Sequence, residues 1–377
     1  MITKIHAIDR HKRTSTISVI NREGEEIDLI AHVSDLHEYI KKLGKEDAVI
    51  FEASNGTFYW ADQIEATGAE CYIINPYKFK IIKESWKKTD KIDARNMAQA
   101  LWVYIITGKF NLPLVYHPGK DIRELRKLFA EYQLLNKHQV TYKNYIQALL
   151  SDDGVVLHEE KKEMLFNPEQ YEKIINKLQI TEATRMNIMI NLKLLWVVLE
   201  AKEKIKETIL YFGKIFEKEI DILLSIKGVS AFMALAFLAD VGDVKRFKKV
   251  KQMNSYLGVV PGVKSSAGKT YNGHINRASR NLARSIFTQS IHHIIASNDY
   301  YEEKYKELKY RNGAGKSRIA FIRRIFGVMR RMLINEEKFK WFREDLYAKK
   351  KKDYKLVLSK WQGIEFLLNS KKIKLGA

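Results

Sequence analysis

Cysteine and proline are nearly missing from this chain, and no long apolar run interrupts it. Among 377 residues there is one cysteine, Cys71, and there are only 5 prolines. A single thiol forms neither an internal disulfide nor a cysteine-rich zinc site, so the chain suits a reducing compartment, the cytoplasm. Cys71 lies in Glu70-Cys71-Tyr72-Ile73-Ile74 and reads as a buried strand residue. Few prolines, with 46% hydrophobic residues, exclude long disordered stretches. No run of about 18 apolar residues occurs, and residues 1–10 do not resemble a signal peptide, so no membrane role is expected.

Positive charge is abundant. Lysine and arginine number 66 against 45 aspartates and glutamates, a net +21. Residues 301–377 alone hold 22 basic and 9 acidic side chains. Such an excess suits a polyanion, whose binding is driven by phosphate neutralisation and counterion release. A basic tail also serves as a plain solubilising surface.

Short apolar runs at 4–8, 16–20, 48–51 and 70–74 read as strands, and 35–43 and 57–67 as helices, which makes the first hundred residues an α/β domain. Helical patterns then run over 121–150 and 181–216. They fit an antiparallel coiled-coil arm used for dimerisation, and equally plain helix packing, with 157–168 as the tip. From 220 onward, Leu223 to Gly228 leading into a small-residue helix at 231–239 has the outline of a helix-hairpin-helix unit, whose helix start would receive a DNA phosphate. The expected organisation is an α/β domain at 1–115, a helical region at 116–219, a mainly α domain at 220–340 and a basic tail at 341–377.

Asp9 ends the first strand run and Glu52 ends another, positions that project side chains into the cleft at a sheet edge. Asp90 and Asp93 follow at a spacing of three, which places them on one face of a helix. Alone, that pair also reads as a salt-bridged face among Lys87, Lys88, Lys91 and Arg95. Four acids gathered together repel unless cations neutralise them, and all-oxygen ligands suit Mg²⁺ or Mn²⁺. Two such ions stabilise the attacking and leaving oxygens of phosphodiester cleavage.

Downstream, Pro261-Gly262-Val263-Lys264-Ser265-Ser266-Ala267-Gly268-Lys269 reads as a loop bearing a serine pair. By itself a Ser-Ser pair in a turn carries no chemistry. A nucleophilic serine there would have Lys264, Lys269, Arg277, Arg280 and Arg284 to offset phosphate charge. Gly313-Ala314-Gly315-Lys316-Ser317 imitates the end of a phosphate-binding loop but lacks the required earlier glycine, so Lys316 is expected to meet nucleic-acid phosphate instead. His292 and His293 are adjacent and point apart on a helix, which rules out shared chelation. Residues 318–333 form an amphipathic basic helix offering Arg323 and Arg324 either to nucleic acid or to solvent. Trp341, Tyr347, Tyr354 and Trp361 suit base stacking or core packing alike.

Three segments together, Asp9-x-x-Lys12, Glu52-Ala53-Ser54-Asn55-Gly56 with Tyr59, and Lys88-Thr89-Asp90-x-x-Asp93-Ala94, resemble the DEDD transposases of insertion sequences. Ala239-Asp240-Val241-Gly242-Asp243-Val244 with Phe247 fits the same family. The resemblance spans about residues 5–105 and 220–335. It implies a RuvC-like, ribonuclease-H-type mixed sheet at the N-terminus and a metal-binding tetrad of Asp9, Glu52, Asp90 and Asp93. It further implies a serine nucleophile at Ser266, with Ser265 the alternative, that forms a transient phosphoserine link to DNA. Lys12, Lys88, Lys227 and Gly228 join the basic residues above as expected nucleic-acid contacts. Members are known as bridge-RNA-guided recombinases, so a non-coding RNA and a homodimer or homotetramer are implied partners. The chain departs from the family pattern at Ala267 for a glycine, at Ser279-Arg280 for a Gly-Asn pair, and at Lys227 for a proline. A resolvase-like nuclease needing the carboxylates alone, and a non-catalytic nucleic-acid-binding derivative, are the competing readings.

Overall fold

The computed structural model describes residues 1–80, 89–108, 110–266, 269–275 and 279–361, with the backbone alone at 80, 263–266, 269–272 and 274. Lys88 and Arg277 lie outside the described residues. The chain divides into two compact units, Met1–His117 and Pro118–Ala377.

The first unit contains β1 (Lys4–Arg10), β2 (Ser15–Asn21), β3 (Glu26–Val33), α1 (Leu36–Ile40), β4 (Asp47–Glu52), α2 (Thr57–Ala66), β5 (Glu70–Ile74), α3 (Pro76–Lys80) and α4 (Asp90–Thr107). Its sheet runs β3-β2-β1-β4-β5, with the first three strands antiparallel and β1, β4 and β5 parallel. This is the mixed sheet that the ribonuclease-H-type resemblance implies. Ile8, Ile17, Val49, Phe51 and Ile73 face α1 and α2 on one side. Ile5, Ala7, Ile20, Ala48, Ile50 and Ile74 face Met97, Ala98 and Leu101 of α4 on the other. Strands covered on both faces read as continuous apolar runs, which is why β1 and β4 stand out in the sequence.

Strand β3 does not. It is an edge strand with no buried residue, and its ladder to β2 is interrupted by register shifts. Charged, irregular edges are how sheets avoid pairing with other chains, and they erase the alternating signal. Cys71 does sit in a strand, β5, but is half-buried rather than buried.

The second unit is mainly helical. A 33-residue α5 (Lys120–Asp152) and a 31-residue α8 (Glu182–Phe212) lie against each other. Ile146 and Leu150 meet Ile188, Leu192 and Leu195 at one end, and Leu125 and Phe129 meet Ile209 at the other, so the pair is antiparallel. At about 1.5 Å per residue each helix is roughly 50 Å long. The tip is more than a connection: α6 (Glu159–Phe166) and α7 (Tyr171–Ile175) close a small core of their own there.

Beyond them come α9 (Glu217–Leu224), α10 (Ala231–Val241), α11 (Val250–Tyr256), β6 (Pro261–Ser266), β7 (Lys269–Ile275), α12 (Leu282–Ile295), α13 (Asp299–Asn335) and α14 (Glu344–Lys360). The long α13 is broken at Gly313, whose backbone is non-helical. Tyr347 and Tyr354 of α14 are buried against Ile209, Ile220 and Leu224, and Trp361 stacks on Tyr211 at 3.7 Å. These three rings pack within the protein. Trp341 stays half exposed, beside Tyr300 and Phe339.

The α9–α10 hairpin is pinned from two sides. Lys350 of α14 donates to the carbonyls of Leu224, Ile226 and Val229. Gly228, at φ +85°, presses on α12 so closely that a Cβ would stand 2.8 Å from the His293 and Ile294 backbone. Ser230 caps α10 by accepting from the Met233 amide. Gly228→Ala therefore meets both a left-handed backbone and immovable atoms. We expect it to cost the second unit about 2–4 kcal/mol, seen as a lower thermal midpoint for that unit; an unchanged midpoint would show that the hairpin is free to move.

Candidate active site

Asp9 and Glu52 reach the same place by strand register. In the parallel ladder Ile8 faces Phe51, and Asp9 and Glu52 are the next residues on each strand. Neighbouring strands lie about 4.8 Å apart, so the two carboxylates leave the same sheet edge side by side. Ala7 and Ile50, two residues earlier on each strand, sit on the face covered by α4. Alternation puts Asp9 and Glu52 on that face too.

Helix α4 brings the other pair. Asp90, Asp93, Met97 and Leu101 recur at helical spacing on one stripe. Where the stripe lies over the sheet it is apolar and buried, and its first turn is acidic. A second stripe, at 95, 99 and 102, fixes the helix along its axis. Arg95 makes a bidentate ion pair with Glu26 at 2.6 and 2.7 Å, Gln99 donates to the Gly24 carbonyl, and Trp102 Nε1 donates to the Arg22 carbonyl at 2.8 Å. The Arg95 hydrogen bond holds the Glu26 carboxyl below its ordinary value. Thr89 caps α4 by accepting from the Ile92 amide, and the helix N-terminus favours the acids placed there.

Asp9 is in electrostatic reach of the other three acids. Burial pushes the Asp9 carboxyl above its ordinary value; His11 opposes that shift, and repulsion from Asp90, Asp93 and Glu52 adds to it. The Asp9 side chain is 16% exposed and that of Asp90 57%, so Asp9 is the inner group and Asp90 lies at the rim. Oxygens of Asp9 and Asp90 and a nitrogen of His11 all fall within 4.8 Å of one another, a spacing able to hold a metal ion. Carboxylate donors of this kind fit Mg²⁺ or Mn²⁺.

Two residues of this site were not singled out from sequence. Arg10 turns to the other face, donating to Ser54 Oγ and the Asn55 carbonyl and lying 5.9 Å from the Trp60 ring. It ties the loop after Glu52 to the end of β1. His11 Nε2 stands 3.4 Å from Asp9 and 3.2 Å from Asp90. The available signal was strand alternation, which puts residue 11 on the side of residue 9.

In the second unit the serine segment is a strand, not the loop its composition suggests. Ser266 pairs with Lys269 and Ser265 with Thr270 in the β6–β7 hairpin. A two-residue connection containing glycine suits such a hairpin, and β-branched Val263 and Thr270 favour strand. The foot of the hairpin is anchored: Arg284 donates to the Gly258 carbonyl at 2.7 Å. Arg280 pairs at 3.1 Å with Asp240, which is buried and also accepts the Ala283 amide. Lys227 reaches the Ser297 carbonyl. Lys12, Lys316, Arg323 and Arg324 are exposed, the last two opposite buried Ile322, Ile325, Phe326 and Met329.

A mixed sheet with acids gathered at one edge, followed by a helical unit with a serine-bearing hairpin, defines a DEDD-type DNA transposase. The comparisons agree. Residues 7–152 match the transposase model named for the DEDD transposases of the IS110 type, and residues 220–306 match the model described as Transposase IS116/IS110/IS902 family. The chain belongs to this family. It is 22% identical over 303 residues to the transposase for insertion sequence element IS1111A of Coxiella burnetii, covering 78% of this chain and 80% of that protein. It is 21% identical over 292 residues to a "probable family 20 transposase" of Pseudomonas aeruginosa, covering 76% and 78%.

The raised Asp9 acid has a stability consequence. The folded protein holds that proton more tightly than the unfolded chain, so metal-free stability falls as pH rises through the raised value. Asp9→Asn removes the strain. In chelator at neutral pH its thermal midpoint should equal or exceed that of the parent and vary less with pH, and a clearly lower midpoint would contradict a carboxylate penalised by burial.

Proposed function

We propose that this transposase cuts and rejoins DNA with two sets of groups: a divalent cation held by Asp9, Glu52, Asp90 and Asp93, and the hydroxyl of Ser266. The observation that supports it most is the gathering of Asp9, Asp90 and His11 ligand atoms within 4.8 Å of one another, with Glu52 and Asp93 near enough to act on the Asp9 charge. Bound there, Mg²⁺ or Mn²⁺ supplies Lewis-acid stabilisation of charge on the phosphate oxygens. Ser266 Oγ attacks phosphorus and displaces one deoxyribose oxygen, which leaves as a hydroxyl with the serine proton. A DNA hydroxyl then attacks the phosphoserine, releases the serine and restores a phosphodiester. Ser265 is the alternative nucleophile. Lys264, Lys269 and Arg277 offset charge on the phosphate, and Lys12, Lys88, Lys316, Arg323 and Arg324 track the backbone.

The net +21 charge suits a second polyanion besides DNA. Pairing with a non-coding bridge RNA would supply the sequence choice, the protein reading shape and charge. We also place the protein in a reducing cytoplasm, where the Cys71 thiol, pushed up to about 12 by burial, stays inert. Homodimerisation has a surface to use: Met186, Ile190, Leu194 and Val197 form an exposed apolar stripe along α8, the pattern of an unpaired helical seam.

Recombination of element DNA by the purified protein with Mg²⁺ or Mn²⁺ is the direct test. Asp90→Asn should reduce strand transfer to background, and Ser266→Ala should abolish the covalent protein–DNA adduct as well. Cleavage that persists in Ser266→Ala and Ser265→Ala would favour a carboxylate-only nuclease instead. The protein should also copurify with a discrete RNA. Separately, Ile190→Glu with Leu194→Glu should shift the light-scattering mass toward the monomer without lowering the thermal midpoint; an unchanged mass would assign oligomerisation to another surface.

A further inference from the structure

Beside the carboxylates of this site stands an imidazole. His11 closes the turn between β1 and β2, its amide donating to the Thr14 carbonyl at 3.0 Å, and this turn holds its imidazole over the acids. Nε2 lies 3.4 Å from Asp9 Oδ2 and 3.2 Å from Asp90 Oδ2. Two donors about 2.1 Å from one ion at right angles are about 3.0 Å apart. The observed separations exceed that edge by only a few tenths of an ångström, an adjustment that a 47% exposed side chain on a turn can make. The Asp62, Glu65 and His117 group differs: there Nε2 and Nδ1 are taken by separate carboxylates, at 3.2 and 3.1 Å. In His11 one nitrogen faces both acids.

We infer that His11 is a nitrogen ligand of the cation shared by Asp9 and Asp90, making this a mixed nitrogen–oxygen centre that selects Mn²⁺ over Mg²⁺. The inference rests on the tetrad reading above and deepens it. Imidazole is a borderline donor that transition ions accept, whereas Mg²⁺ holds to oxygen ligands and water. Asp9 and Asp90 serve either ion; the His11 nitrogen rewards only one. His11 thereby gives the site a preference that four carboxylates alone would lack.

The test uses the full chain and Mn²⁺ without DNA. Pulsed electron paramagnetic resonance of bound Mn²⁺ should show ¹⁴N modulation from a directly coordinated imidazole. That modulation should vanish in His11→Ala and His11→Gln, with Mn²⁺ affinity reduced roughly 10-fold or more and Mg²⁺ affinity, read by competition, changed far less. The parent spectrum needs no variant, so a folding defect cannot mask the answer. Bound Mn²⁺ without ¹⁴N modulation, lost in Asp90→Asn but unaffected in His11→Gln, would overturn the ligand role and leave the tetrad standing. A parent protein that binds no Mn²⁺ would overturn the tetrad reading, and this inference with it.

Discussion

The burial of Asp9 beside three further carboxylates is the constraint on which the candidate site of the first unit depends. Two unit charges at about 4 Å interact by about 4 kcal/mol at the effective dielectric near a protein surface. A helix N-terminus offsets only about 0.3–1 kcal/mol for each acid. The first turn of α4 therefore softens the repulsion without cancelling it, and the Asp9 acid, raised first by burial, is raised further by its three acidic neighbours. The scaffold keeps the acids together regardless. Asp9 and Glu52 are held by a backbone ladder that cannot part without breaking the sheet. Asp90 and Asp93 are held by a helix docked through Arg95, Gln99 and Trp102.

The sequence showed much of this scheme and concealed a definable part. Strands with both faces covered were visible as apolar runs, and the acids were visible because each lies near the end of a strand or in the first turn of a helix. Edge strand β3 was hidden by its charge. Arg10 and His11 were hidden for another reason: their partners are Ser54, Asn55 and Asp90, residues made neighbours only by the fold. Ser265 and Ser266 misled through composition, since glycine, proline and serine read as loop while their pairing with Thr270 and Lys269 makes strand. The tip helices α6 and α7 were too short to register as periodicity.

Charge counting also proves coarse in the second unit, because its basic side chains divide between two tasks. Arg126 donates to the Ala239 and Asp240 carbonyls, Arg284 to Gly258 and Arg330 to Phe247. These guanidiniums satisfy backbone acceptors and so hold the helices in register, where removing one would leave a polar group unpaired. Lys316, Arg323 and Arg324 instead point to solvent from a helix whose other face is core. Only the second group adds to an electrostatic footprint for nucleic acid, so the net charge overstates that footprint.

The departure from the family pattern at Ser279-Arg280 follows from the same division. Gly258 sits at φ +64°, and a Cβ there would stand 2.2 Å from Ser279 Oγ and 2.7 Å from the Arg284 guanidinium. The space that glycine leaves at 258 is thus occupied by the serine at 279, and the two positions fit as a pair. Arg280 in turn meets Asp240, a buried carboxyl that burial pushes up and that Arg280, Arg126 and the Ala283 amide pull back. A residue that in sequence looks like a lost family feature is, in the fold, the counter-ion of a buried acid. Because Asp240 also accepts the Ala283 amide in the first turn of α12, the pair ties the end of α10 to the start of α12, and Arg284 carries the tie on to Gly258 ahead of β6. The hairpin bearing Ser266 therefore stands on a chain of ionic and backbone contacts.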